Sequence, residues 1–257
     1  MLLENYLKFF LAFLWGILWG SFGSTLIYRA INGISIFNPP FSFCPNCKNR
    51  IKWFQNIPIL SYILLGGKCA FCKAKIDITY FISELLSGVL CVFCVLISDS
   101  LLEFISNFFF LWGLLIASIS DIKFLLIPTL SVIFSSFGSI LHTILYGNFK
   151  DSISGAIFGV GILLFTKIGY KIIRKREGLG EGDVIFMIPI GLYFGFFKTL
   201  TTLIFSSFLG GILGLALMSK IRTKEIPFVP FLLISVLTVI VLQSNFPNFW
   251  FLFQMNI

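Results

Sequence analysis

Eight stretches of this chain are apolar for close to the ~20 residues that an α-helix needs to cross a bilayer. They run approximately over Phe9–Tyr28, Phe81–Ile97, Phe104–Ser120, Ile127–Tyr146, Ile153–Ile173, Val184–Phe197, Leu200–Met218 and Phe228–Leu242. Hydrocarbon offers the backbone no hydrogen-bond partners, so each run predicts a helix. Composition agrees: 58% of the 257 residues are hydrophobic, 12% are charged and 33 are Phe, more apolar surface than a soluble domain of this size can hide. The predicted fold class is an all-α polytopic membrane protein of about eight transmembrane helices. Lys198 and Thr199 predict a tight turn between the sixth and seventh runs. The first run reads as an uncleaved helix, because MLLENYLK lacks a basic leader region and no A-x-A site follows. The aromatic tail FPNFWFLFQMNI, 246–257, reads as an interfacial segment.

Lysine and arginine set the orientation. With the N-terminus outside, the cytoplasmic loops hold Arg29, Lys48, Arg50, Lys52, Lys68, Lys73, Lys75, Lys123, Lys171, Arg174, Lys175, Arg176, Lys220, Arg222 and Lys224, which is 15 of the 19 basic residues. Only Lys8, Lys150 and Lys198 fall outside, and Lys167 lies within a span. The net charge of +8 is thereby explained by the lipid bilayer, and no nucleic-acid partner is expected.

Between the first two spans lies the one long loop, 31–80, which carries CPNC (Cys44, Cys47) and CAFC (Cys69, Cys72) 21 residues apart. Two Cys-x2-Cys turns at this separation predict a four-thiolate zinc site, and a subdomain this small needs such a staple. Disulfides are the alternative, disfavoured in a reducing cytoplasm. Cys91 and Cys94 also read Cys-x2-Cys, but inside the second span, where buried cysteine behaves as a small apolar residue. His142, near the outer end of the fourth span, reads as a packing residue.

Eleven acids remain to be placed. Glu4, Asp99, Glu103 and Asp151 fall at outer ends, and Asp77, Glu177 and Glu225 in cytoplasmic loops, where solvated charge is the ordinary reading. Glu84, Asp121, Glu181 and Asp183 lie at apolar helix ends. Asp121 closes the third span and Asp183 opens the sixth, both at the cytoplasmic face. Two carboxylates at one depth can share a proton, one acting as base on a water while the other, protonated, polarises a carbonyl. Gly180 and Gly182 let the backbone turn and approach a substrate strand. Each aspartate alone is equally readable as a helix end reaching water. That reading suits Asp183 at a helix N-terminus and suits Asp121 at a C-terminus poorly.

GEGD at 180–183 resembles the GxGD motif of intramembrane aspartyl proteases. More closely, GSFGSTLIYR, CPNC…NIPILSYILLGGKCAFC, ELLSG, DIKFLLIPT, GEGDV and IPFVPF stand in the order found in bacterial type IV prepilin (leader) peptidases, and the resemblance covers nearly the whole chain. It implies a bifunctional membrane enzyme of the inner membrane. One activity cleaves the basic leader of pilin-like precursors at the cytoplasmic face. The other methylates the new N-terminus with S-adenosylmethionine. It also implies Asp121 and Asp183 as the catalytic pair, supported by Gly180, Glu181 and Gly182, with Cys44, Cys47, Cys69 and Cys72 on zinc. Departures from the family pattern are Ser24 for an Asn, Phe186 for a Lys, Thr129 for an acid or amide and Phe81 for a Pro; none touches the aspartates or the four cysteines. No glycine loop of a soluble methyltransferase is present, so methylation is implied by resemblance alone.

The expected organisation is a first helix over 1–30, a zinc-binding loop subdomain over 31–80, a seven-helix peptidase core over 81–245 and the tail over 246–257. Glu181 and Glu84 stand where they can attract a basic leader, or as ordinary interfacial acids. Two rivals come from other classes. A proton-coupled transporter would use the aspartates as relay groups, but no internal repeat supports it. A docking protein built on the zinc loop leaves GEGD unexplained. A preflagellin-type peptidase would share the aspartates and lack the zinc loop.

Overall fold

The computed structural model describes residues 2–175, 178–220 and 226–245. The tail 246–257 and the loop residues Arg176, Glu177, Arg222, Lys224 and Glu225 lie outside the described residues. Among those described, regular structure is helical apart from two isolated β-bridges. Six helices are long and apolar enough to cross a membrane, and the apolar Val229–Gln243 is shorter. The chain forms two compact units, one holding everything up to Asp99 with Pro128–Leu130, the other Ser100–Ile127 and the chain from Ser131 onward.

The first unit contains α1 (Leu2–Ile31), a 3-10 turn at Trp53–Asn56, the short α2 (Leu60–Leu64) and α3 (Ile78–Leu96). Asp77 starts α3 by accepting the Thr79 N–H at 2.9 Å, which satisfies one of the free amides of the first turn. α1 lies directly on α3. A Cβ at Gly16 would fall 2.4 Å from the Ser87 carbonyl oxygen, and one at Gly20 would fall 2.5 Å from the Glu84 Cα. The Gly-x3-Gly spacing puts both gaps on one face, so the backbones meet without side chains between them. Where α1 ends, the buried Arg29 guanidinium donates to four carbonyls, those of Ser35, Ile36 and Pro39 at 2.7 Å and Phe41 at 3.1 Å. It is thus more than part of a charge bias: it fixes the course of the chain into the cysteine loop.

The second unit contains α4 (Leu101–Phe124), α5 (Thr129–Tyr146), α6 (Phe149–Arg174), α7 (Glu181–Lys220) and α8 (Val229–Asn245). Ser100 caps α4 and Asn148 caps α6. The most apolar window of α4 is 72% covered by protein and that of α6 only 11%, so α4 is the central helix and α6 faces lipid. Phe110, Trp112, Leu114 and Ile116 of α4 are fully buried.

The sixth and seventh apolar runs share one element, α7, which breaks at Gly195 (φ 72°, ψ −174°). The break is a reversal. A Cβ at Gly159 on α6 would lie 2.8 Å from Met187 Cε and 3.1 Å from Thr199 Cγ2. Along a straight helix those two residues would stand about 18 Å apart. The two arms therefore fold back beside each other, and the turn predicted at Lys198–Thr199 sits at Gly195 instead. Only glycine adopts this backbone region without strain. Asp151, expected to be a solvated outer acid, stabilises the turn: its Oδ1 accepts the Phe196 N–H at 3.1 Å and so caps the second arm.

Candidate functional site

Two sets of side chains stand out, one in each unit. In the first, the loop's two Cys-x2-Cys turns adopt the same local structure. The Cys44 N–H donates to Asn49 O at 3.0 Å and the Lys48 N–H to Cys44 O at 2.9 Å. The second turn repeats this, with Cys69 N–H to Ala74 O at 2.8 Å and Lys73 N–H to Cys69 O at 3.1 Å. Lys48 and Lys73 both have left-handed backbones (φ 58° and 60°), and a bridge closes each turn, Phe43 to Arg50 and Lys68 to Lys75.

Folded this way, each turn aims both its sulfurs at one point. The four Sγ atoms lie within 4.8 Å of one another, with Cys44 and Cys72 3.9 Å apart. A tetrahedral ion with metal–sulfur bonds of about 2.3 Å sets neighbouring sulfurs about 3.8 Å apart, so the cluster fits such an ion. All four cysteines are free thiols. The Ala74 amide, followed by the neighbouring sulfurs, holds the Cys72 thiol down at about 6. Cys47 goes the other way, to about 11: the Asn49 amide favours its thiolate but is outweighed by desolvation and by the other three sulfurs. Four sulfurs this close cannot all ionise unaided; a bound cation would supply the missing charge.

In the second unit, Asp121 and Asp183 come together. Leu125 ends α4 in the left-handed conformation (φ 51°), and its N–H bonds Asp121 O at 3.0 Å. Ile127 then packs on the start of α7, where a Cβ on Gly182 would be 2.6 Å from Ile127 Cδ1. The two aspartates sit on segments in contact, both are buried, and their charges interact. Backbone amides hold each one. Asp121 Oδ2 accepts the Val229 N–H at 3.1 Å and also bonds the Phe228 amide, while Asp183 takes the Gly180 amide. The start of α8 thus lends Asp121 the positive helix end that its own C-terminal position lacks. Val229 and Phe228 were missed as site residues, because a backbone contact across more than a hundred residues leaves no side-chain signature. In chemical terms, the arrangement is two buried carboxylates on touching segments, each held by backbone amides and near enough for their charges to interact.

The remaining acids separate clearly. Glu181 is exposed and bonds Lys167 of α6 at 3.3 Å, which gives the lysine placed within a span a partner beside Asp183. Glu84 is buried in the first unit, where its Oε2 accepts the Ile59 N–H at 2.6 Å. It braces a strained turn, since Ile59 has φ 64°, and does not face solvent to attract a leader. Cys91 and Cys94 are fully buried in α3. His142 stacks on Tyr193 with ring centroids 4.0 Å apart, a packing role.

Two family models match the chain: the bacterial peptidase A24 N-terminal domain over residues 14–98 and the type IV leader peptidase family over residues 108–215. Among curated relatives, a prepilin leader peptidase/N-methyltransferase of Pseudomonas aeruginosa is 32% identical over 202 residues, 76% of this chain and 69% of the relative. One of the same name from Aeromonas hydrophila is 28% identical over 258 residues, covering 90% of this chain and 89% of the relative. Another from Neisseria gonorrhoeae is 30% identical over 210 residues, 76% and 69% of the two chains. No solved structure matches the chain.

Proposed function

We propose, from the premise that this chain belongs to the type IV leader peptidase family, that it is a membrane aspartic endopeptidase and N-methyltransferase acting on prepilin-like precursors. Asp121 and Asp183 are its catalytic pair. One carboxylate takes a proton from the attacking water while the other, protonated, donates to the carbonyl oxygen; the proton then passes to the departing amine. Gly180 lends its amide to Asp183, Gly182 lets Ile127 close on the start of α7, and Glu181, paired to Lys167, lies at the mouth where a basic leader enters. The loop 31–80 is stapled by zinc on Cys44, Cys47, Cys69 and Cys72, and 81–245 forms the peptidase core. S-adenosylmethionine is the methyl donor. The lysine and arginine bias supports a bacterial inner-membrane location with the N-terminus outside and the pair at the cytoplasmic face.

This reading is supported by Asp121 and Asp183, 62 positions apart in the chain, both being buried on segments in contact, with backbone amides on each and an interaction between their charges. The experiment is cleavage, in detergent, of a precursor with a basic leader ending in Gly before an apolar run. Asp121→Asn and Asp183→Asn should each lower cleavage by about a thousandfold or more while the protein stays folded, since an amide cannot carry the shared proton. Substantial turnover by either variant refutes the assignment.

A further inference from the structure

The loop between α1 and α3 presents to its surroundings what a folded loop usually buries. In α2 the exposed residues are Leu60, Ile63 and Leu64, the last 83% exposed; at this spacing they form one face of the helix. Tyr62, pointing the other way, packs on Phe81 of α3 with ring centroids 5.4 Å apart. Just upstream, Trp53 is 81% exposed and Phe54 is also exposed. The apolar side of the segment 53–64 is therefore uncovered, and Tyr62 anchors it to the rest of the unit from the opposite face.

Charge says what covers it. From 31 to 76 there is no acidic residue, while Lys48, Arg50, Lys52, Lys68, Lys73 and Lys75 are all exposed. Cations also lie on the aromatic rings: Arg50 stands 4.9 Å from the Phe41 ring centre and Lys52 stands 5.9 Å from that of Phe54. A basic leader would be repelled by this surface. Exposed Trp, Phe and Leu interleaved with lysine match the interfacial layer of an anionic bilayer, where rings and aliphatic chains enter the acyl boundary and ammonium groups meet phosphates. The loop is tethered beside that layer at both ends, α1 finishing at Ile31 and α3 starting at Ile78.

We infer that the segment 53–64, with the surrounding lysines, is a docking surface for anionic phospholipid that lays the cysteine loop against the membrane. Each lysine or arginine near such a surface contributes about 1 kcal/mol of attraction, so the five lysines and Arg50 suffice to hold it.

The test compares the intact protein in nanodiscs of phosphatidylglycerol and of phosphatidylcholine. Backbone amides of 53–64 should exchange with deuterium at least about fivefold more slowly in phosphatidylglycerol. Replacing Lys68, Lys73 and Lys75 together with Gln should remove most of that difference. Bromine-labelled phosphatidylglycerol should quench more fluorescence in wild type than in Trp53→Phe, the difference reporting Trp53 alone. Equal exchange in the two lipids overturns the inference. So does protection that arises only when a precursor is added, which would make the surface a substrate face. If the lysine variant perturbs folding, the quenching comparison, which leaves every lysine in place, still decides.

Discussion

Replacing Gly182 with alanine tests whether the backbone at the start of α7 sets the position of Asp183. The new Cβ would stand 2.6 Å from Ile127 Cδ1 and 3.1 Å from both Cβ and Cγ1 of the same residue. Carbon atoms rest comfortably at about 3.5–4.0 Å, so Cδ1 must retreat by about 1 Å and the other two by about half that. Swinging the methyl aside does not suffice, because the isoleucine Cβ is fixed to a backbone held between the left-handed Leu125 and Pro128. Much of the strain therefore moves the first turn of α7, in which Asp183 is the next residue. Overpacking costs about 1–3 kcal/mol, offset by up to about 1 kcal/mol because alanine favours a helix over glycine. The net loss of stability is about 0–3 kcal/mol. A shift approaching 1 Å at a catalytic group costs about a hundredfold in rate, so kcat/KM on a basic-leader precursor should fall about 10- to 100-fold. Purified Gly182→Ala would be assayed beside Gly161→Ala, whose Cβ meets nothing within 4 Å and should be silent. Thermal unfolding midpoints would be measured on the same samples. Activity of Gly182→Ala within threefold of wild type would show that Asp183 does not depend on this contact.

Freshly purified protein should contain about one zinc per chain; Cys44→Ser or Cys72→Ser should lose it and open the 31–80 loop to protease, while Cys91→Ser and Cys94→Ser keep it. Metal-free protein isolated without chelators would count against the site. Asp183→Ala should still methylate a pre-cleaved pilin given S-adenosylmethionine, because the carboxylate pair and the cysteine loop belong to different compact units; transfer of labelled methyl checks this, and its loss in a zinc-loaded, inserted variant means the activities are not separable. Asp151→Ala should lower stability by about 0.5–2 kcal/mol through loss of the cap on Phe196, whereas Asp151→Asn, able to accept the same N–H, should lose little. Equal melting of both variants and wild type would refute the cap.

What the sequence made legible was whatever repeats a chemical type at a fixed spacing. Four cysteines in two short turns announce a shared ligand because the spacing alone brings each pair together, and long apolar runs announce helices because hydrocarbon permits little else. Contacts made through the backbone stayed hidden. Asp121 looked badly placed at a helix end until the amides of Phe228 and Val229 supplied its partner. Asp151 looked like a solvated outer acid and Glu84 like an interfacial one because their partners, Phe196 and Ile59, contribute only an N–H. The reversal of α7 was expected at its most polar residues, Lys198 and Thr199, but the turn required a positive φ, which Gly195 supplies. Polarity was the wrong guide there, since Asp151 and not water satisfies the turn.

The short first arm of α7 has a consequence for the lipid around it. From Glu181 to Phe194 it has about 14 residues, which at about 1.5 Å each reach ~21 Å. The hydrocarbon layer is ~30 Å thick. One end of the arm is therefore left some ~9 Å short, and a bilayer answers such a mismatch by thinning locally or by admitting water above the buried end. Asp183 lies at one end of this arm and Gly195 closes the other. On the proposed function, a dent in the leaflet at the Asp183 end would give hydrolytic water a way to the buried carboxylates. It would also let a precursor present the junction between its charged leader and its apolar helix without pulling that helix out of the membrane.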